Sequence, residues 1–196
     1  FIPLYVLDQN YWSQGFSSIR HWNFVYDCLE ELNIELSNIG QPLIIKKGSA
    51  VNIFKDIQSN FKINKVFAHE ETSNYWVRKE NLSVKNWFVE NLIEFIEYPT
   101  NGVVRGLKSR DEWIKIKNQR LFSEVIPRPA RVKKIENFRS DLISRKSIIF
   151  EDDLIFNIQK GGRKTGLKIL DTFLNYRSKS YLKNISSPKF SSEYCS

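Results

Sequence analysis

Methionine is absent from all 196 residues, and cysteine and histidine occur only twice each, at Cys28 and Cys195 and at His21 and His69. Two histidines with no converging thiols or carboxylates are too few ligands for a metal site, so metal chemistry has no basis here. Neither a glycine-rich phosphate loop of the Walker type nor a nucleophile elbow occurs, which removes P-loop NTPase and Ser-His-Asp hydrolase readings. Two cysteines far apart make no disulfide framework. Cys28 falls on the apolar stripe of a helix and reads as a core thiol, which favours a reducing, cytoplasmic setting. No run reaches the ~20 apolar residues of a membrane span, and no secretory signal pattern opens the chain.

Acidic charge is also in short supply. Thirty Lys and Arg against 22 Asp and Glu leave a formal net charge of +8. Such an excess suits a polyanionic partner and equally suits a lysine-rich solvated surface; charge alone leaves both open. Apolar residues make up 41% of the chain, enough for a core that needs no disulfide or metal staple.

The hydrophobic pattern alternates between short apolar runs and helical stripes. Ile2–Leu7 reads as a strand that begins without lead-in residues, so a processed or truncated N-terminus is expected. A polar, aromatic loop follows through Asp8, Asn10, Tyr11, Trp12 and Gly15. Ser17 or Ser18 then caps a long helix whose apolar face is Ile19, Trp22, Val25, Leu29, Leu32, Leu36 and Ile39. His21 lies on or beside that face and reads as packed. Gly40 and Pro42 end the helix, and Leu43–Ile45 forms a second strand. A shorter helix runs from Val51 to Phe61, a third strand covers Lys65–His69, a weaker helix spans about 73–91, and a fourth strand covers Leu92–Tyr98. Strand and helix in alternation with short connections predict a parallel α/β sheet.

Beyond the turn cluster Pro99-Thr100-Asn101-Gly102 the rhythm changes. A helix entered through Ser109, Arg110 and Asp111 carries Trp113, Ile116, Leu121 and Phe122. Arg105, Arg110 and Asp111 read as an ion-pair cluster holding the turn. The stretch Ser123–Lys160 has Pro127, Pro129 and many basic residues but no sustained period, and reads as a solvated connector, with a cationic groove for a DNA backbone as the less favoured reading. Gly161-Gly162 precedes a last helix with Leu167, Leu170, Phe173 and Leu174.

In order as well as content, five stretches resemble the photolyase/cryptochrome family (deoxyribodipyrimidine photolyase-like). They are Arg20-His21-Trp22-x-Phe24-Val25; Gly40-x-Pro42-Leu43-x-Ile45 with Gly48; His69-Glu70-Glu71-Thr72 followed by Val84-x-x-Trp87; Asn101-Gly102-Val103-Val104-Arg105-x-Leu107-x-x-Arg110-Asp111-x-Trp113; and Gly161-Gly162-x-x-x-Gly166-Leu167-x-x-Leu170-x-x-Phe173-Leu174. Individually weak, they are specific in this order. The resemblance implies a Rossmann-like α/β domain at 1–122, an interdomain linker at 123–160, and the start of an all-α, FAD-binding domain at 161–196. It also implies a five-stranded sheet of order 3-2-1-4-5 that here lacks its first, central strand.

The function implied is that of part of a light-dependent, FAD-containing DNA repair photolyase, acting on pyrimidine dimers in damaged DNA as a monomer, with no metal and no membrane. Two alternatives stand beside it: a cryptochrome-type photoreceptor without repair, and a freestanding nucleotide-binding α/β module. By resemblance Tyr181 and Ser196 would contact FAD, while the plain reading of Tyr181 is helix-end packing. Glu70 or Glu71 could accept a hydrogen bond from a second, antenna chromophore of folate or deazaflavin type; the plain reading of both is a solvated loop. The tryptophan-rich half of the flavin domain has no counterpart in the sequence, so this chain by itself is expected to be inactive.

Overall fold

A computed structural model describes residues 1–150 and 159–186. The Ser18 hydroxyl accepts a hydrogen bond from the His21 N–H (3.4 Å) and starts helix α2, Ile19–Asn38. The helix stops where the backbone turns left-handed at Gly40, φ +113°, with the Gly40 N–H on the Ser37 carbonyl. A single helical turn precedes it. Asp8 Oδ1 accepts from the Asn10 N–H (2.9 Å) and opens helix α1, Gln9–Trp12, where the sequence suggested a loop. Trp12 is buried and meets the ring of Trp22 edge-on at 5.1 Å.

The remaining elements follow the expected order: β1 Leu4–Leu7, β2 Ile44–Lys47, α3 Ala50–Asn60, β3 Lys65–His69, α4 Tyr75–Glu90, β4 Glu94–Tyr98, α5 Arg110–Leu121, α6 Arg163–Asn175 and α7 Tyr181–Asn184. Strands β1 and β2 advance together, since the Ile44 N–H donates to the Pro3 carbonyl and the Gly48 N–H to the Leu7 carbonyl. They are therefore parallel. Strands β3 and β4 are parallel as well, with Lys65 opposite Glu94 and His69 opposite Tyr98. Among the described residues the four strands form two separate pairs rather than one sheet.

The chain sorts into two compact units. One contains Tyr5–Tyr11 and Lys46–Ala130. Its core is Trp87, Phe88 and Ile93, packed by Val51 and Phe54 of α3, Val84 of α4, Ile63, and Val66 and Phe95 from the inner face of the β3–β4 pair. Phe88 is 1% exposed, and burying a side chain of this size contributes roughly 1.5–3 kcal/mol.

The other unit joins Phe1–Leu4, Trp12–Ile45 and the described residues from Arg131 onward. Here part of the expected solvated connector, from Val132 to Ile148, proves to be packed, while residues 123–131 stay exposed. The Val132 N–H donates to the Ile39 carbonyl (2.7 Å), the Ile135 N–H to Gln41 Oε1 (2.7 Å), and the Asp141 N–H to the Ile45 carbonyl (2.8 Å). It is held because β2 offers backbone groups along this side and α2 ends in unsatisfied carbonyls, both of which need partners. Trp22, fully buried, donates its ring N–H to the Arg145 carbonyl (2.8 Å).

Helix α6 is fastened to α2 at its first turn. The Gly161 N–H donates to Asp27 Oδ2 (3.1 Å), the Gly162 N–H to Cys28 Sγ (3.1 Å) and the Lys164 N–H to Glu31 Oε1 (2.9 Å). Arg145 closes on the other oxygen of Asp27 in an ion pair and reaches Asn23 Oδ1 at 3.3 Å. The expected core thiol Cys28 is half-buried and unpaired, with this hydrogen bond as its task. His21, read from sequence as packed, is exposed, because it stands one residue off the stripe that buries Trp22 and Leu29.

Backbone proximity sets the glycines at these contacts. A Cβ on Gly161 would lie 2.1 Å from the Phe24 carbonyl oxygen, and one on Gly40 2.4 Å from that of Val132, at a positive φ. Gly161→Ala and Gly40→Ala should each lower unfolding free energy by about 2–4 kcal/mol. Gly15→Ala, with nothing within 4 Å of the added methyl, should stay within about 0.5 kcal/mol. Urea unfolding followed by tryptophan fluorescence checks this; equal midpoints for the three variants would contradict it.

Candidate functional site

Ligands of open parallel sheets sit at the C-terminal ends of the strands, which here means the residues after His69 and Tyr98. Alternation along β4 places Phe95 and Glu97 on the face turned to α4, and Asn81, Lys85 and Phe88 form the answering stripe on that helix. Glu97 is thus a carboxylate on a core-facing position. It accepts from Asn81 Nδ2 (3.4 Å), pairs with Lys85, and takes both terminal nitrogens of Arg105 at 3.2 and 3.0 Å.

Burial alone would raise the Glu97 pKa, but the hydrogen bonds from Arg105, Lys85 and Asn81 outweigh it and hold the carboxyl below its usual range. The same contact raises the pKa of Arg105. Arg105 also lies 3.4 Å from Glu70 Oε1, and Arg120, on α5, lies 3.6 Å from Glu70 Oε2. That second oxygen is buried and accepts no hydrogen bond among the described residues. Arg120 further donates to the carbonyls of Asn101 (3.0 Å) and Val103 (2.8 Å), and the Trp113 ring N–H to that of Gly102 (2.7 Å). The loop after β4 is thereby tied to both strands and to α5.

Of the residues singled out from sequence, Glu70 lies inside this cluster, with its N–H on the Tyr98 carbonyl (2.8 Å). Glu71 does not join it: its Oε1 accepts from the Ser73 N–H (2.6 Å) just ahead of α4. The ion-pair cluster expected at Arg105, Arg110 and Asp111 contains only the first. Arg110 and Asp111 form the opening turn of α5, where the Asp111 N–H donates to Ser109 Oγ (3.3 Å). Glu97, Lys85 and Arg120 were missed. The signal was there: a carboxylate two residues after Phe95 on a half-buried strand faces inward and requires a cation.

Tyr181 opens α7 and meets the ring of Phe173 edge-on at 5.6 Å, while Arg177 sits 5.5 Å over the Phe173 ring. Ser196 lies outside the described residues. A flavin needs a concave, largely apolar pocket. The α6–α7 segment presents Leu170, Leu174 and Leu182 to solvent instead, half or more exposed, with Tyr181 as its one expected flavin contact among the described residues. The described residues alone do not fit FAD.

Parallel strand pairs backed by helices, with a loop cluster at the strand ends and helices to follow, define an open α/β domain leading into an all-α region. The DNA photolyase family model matches residues 1–109, more than half of the sequence, and the chain belongs to that family. No curated protein matches it. Among solved structures, a bacterial class III photolyase from Agrobacterium tumefaciens is similar with a TM-score of 0.67 at 14% identity, over 93% of this chain and 40% of that one. The cryptochrome of Synechocystis gives 0.68 at 14%, over 92% and 42%. An archaeal photolyase from Sulfolobus tokodaii, solved with two FAD molecules, gives 0.57 at 15%, over 96% and 49%. At these identities the likeness is one of fold. The chain spans less than half the length of each of the three. Among the described residues no helix is long and apolar enough to cross a membrane, and no cluster of metal-ligating side chains occurs.

The cluster sets an acid limit on this unit. A carboxylate whose folded pKa is lowered adds stability above its unfolded pKa, near 4.5, and that stability disappears as pH falls through the lower folded value. Glu97→Gln should therefore cost about 1–3 kcal/mol at neutral pH, by leaving Lys85 and Arg105 facing each other, and should flatten the fall in stability below about pH 4.5. Unfolding free energies against pH for both proteins check it; parallel curves would refute the assignment.

Proposed function

We propose that this chain is the α/β portion, with the first helices of the flavin domain, of a light-dependent, FAD-containing DNA repair photolyase that acts on pyrimidine dimers. The observation that carries the reading is the family match over residues 1–109. Residues 1–122 are the α/β domain, 123–160 the linker and 161–196 the start of the helical domain in this reading. The photolyase and cryptochrome structures resemble the chain about equally, so fold does not separate repair from light sensing. Tyr181 and Ser196 are proposed as flavin contacts in the whole protein. Glu70 and Glu71 are proposed at an antenna site, Glu70 being the stronger candidate because one of its oxygens is without a hydrogen bond. The half-buried, unpaired Cys28 supports a reducing, cytoplasmic location, and the working unit is proposed to be a monomer.

Two measurements bear on this. The 196-residue chain should bind well under one equivalent of FAD; a purified yellow protein near one equivalent would refute the division of labour. A version extended to the length of the relatives should bind FAD and, under blue light, remove dimers from damaged DNA. Flavin binding without repair would transfer the assignment to the cryptochrome type.

A further inference from the structure

Asn101 is the one asparagine of the sequence that precedes a glycine; every other is followed by a bulkier side chain. Asparagine is a chemically labile residue. Its weak point is attack by the next residue's main-chain nitrogen on the side-chain amide carbon, Cγ. A side chain on that next residue obstructs the approach, and glycine leaves it open.

The turn after β4 presents Asn101 in the geometry this attack needs. The residue is exposed, and its Oδ1 accepts from the Val103 N–H (2.9 Å), closing a turn through its own side chain. That bond holds the amide over the Asn101–Gly102 peptide and polarises the Cγ carbonyl, on whose oxygen negative charge develops during attack. Nδ2, the leaving group, donates to Thr72 Oγ1 (3.1 Å), which anchors it on the segment after β3. The attacking group, the Gly102 N–H, makes no hydrogen bond among the described residues. Arg120 donates to the Asn101 main-chain carbonyl (3.0 Å), and a guanidinium there favours the anionic form that the peptide takes as its nitrogen loses a proton.

We propose that Asn101 is a site of spontaneous modification, converting through a cyclic imide with Gly102 to aspartate and isoaspartate. The Gly102 nitrogen bonds to Asn101 Cγ and gives its proton to solvent. The Cγ–Nδ2 bond breaks, and Nδ2 takes a proton back and leaves as ammonia. Water then opens the imide: at Cγ it gives aspartate, at the main-chain carbonyl isoaspartate. In the second product the chain runs on through the side-chain carbon, and a free carboxylate replaces the carbonyl that Arg120 holds. No oxidant or cofactor is consumed.

The consequence falls on the cluster already described, all within one unit. The new carboxylate competes with Glu70 for Arg120, which lies 3.6 Å from Glu70 Oε2. The lengthened backbone shifts the Gly102 and Val103 carbonyls off Trp113 and Arg120, so the loop comes loose from α5. Neither flavin nor light enters, so the inference can fail or stand apart from the repair reading.

The test is incubation of the folded 196-residue chain at mildly alkaline pH, with peptide mapping by mass spectrometry at intervals. Acid should form at position 101 at least about ten times faster than at any other asparagine. A carboxyl methyltransferase that labels only isoaspartyl residues should label the same peptide. Gly102→Ala should fold, since an added Cβ meets only Lys117 Cγ at 3.5 Å, and should slow the conversion at least about tenfold. Gly15→Ala, a glycine-to-alanine change in open space, should leave the rate as it is. The urea midpoint of the aged parent chain should fall below that of fresh protein, while Gly102→Ala of the same age keeps its own. Comparable acid formation at several asparagines, an unchanged rate in Gly102→Ala, aspartate without isoaspartate, or an aged chain with the midpoint of the fresh one would overturn the proposal.

Discussion

Helix α6 opens on two glycines and has no side chain with which to cap itself, so its first N–H groups depend on α2. Asp27, Cys28 and Glu31, within a little over one turn, supply the three acceptors. Orphan N–H groups and the positive helix end both favour carboxylates at this point. The glycines make the arrangement possible, since any Cβ there would collide with α2. Arg145 then balances Asp27 while its carbonyl accepts from Trp22. Removing the close approach would disconnect α6, the 145–147 turn and the Trp22 contact together.

The second unit uses the same device in another form. Glu97 sits where a strand would ordinarily place an apolar residue, and Phe95 beside it shows what such a position usually holds. Desolvation makes a lone carboxylate there unfavourable, and three donors offset the penalty. Because those donors come from α4 and from the loop after β4, one inward charge orders two segments. Such a pair contributes specific placement as well as the neutral-pH stability that its lowered carboxyl pKa implies.

Strand and helix positions were legible because their signals are local. Ser18, Gly40 and Ser109 are caps or stops whose side chain or backbone freedom acts within four residues. The turn at Gln9–Trp12 escaped because its trigger is one Asp8 hydrogen bond under a run that looks like loop. The packing of residues 131–145 escaped for a different reason. Its partners, Ile39, Gln41, Ile45 and Trp22, lie about a hundred residues earlier, and nothing periodic in a proline-containing basic stretch announces them. At the candidate site Glu70 was found by its place at a strand end, whereas Arg120 had to await the fold of α5.

Residue types that draw attention as cofactor ligands have structural work in this chain. Glu70 faces two arginines, Glu71 caps a turn, and Tyr181 packs on Phe173. Glu70 nevertheless keeps one buried oxygen free of a hydrogen bond among the described residues, so this structural work is compatible with the antenna contact proposed above. Most of the other polar groups named in the α/β portion secure loops. α2 and β2 are completed by residues about a hundred positions downstream, a separation that raises the contact order of the unit that holds them. Residues 131–145 are for that reason a component of the fold, held in place by the same bonds that finish the strand and the helix.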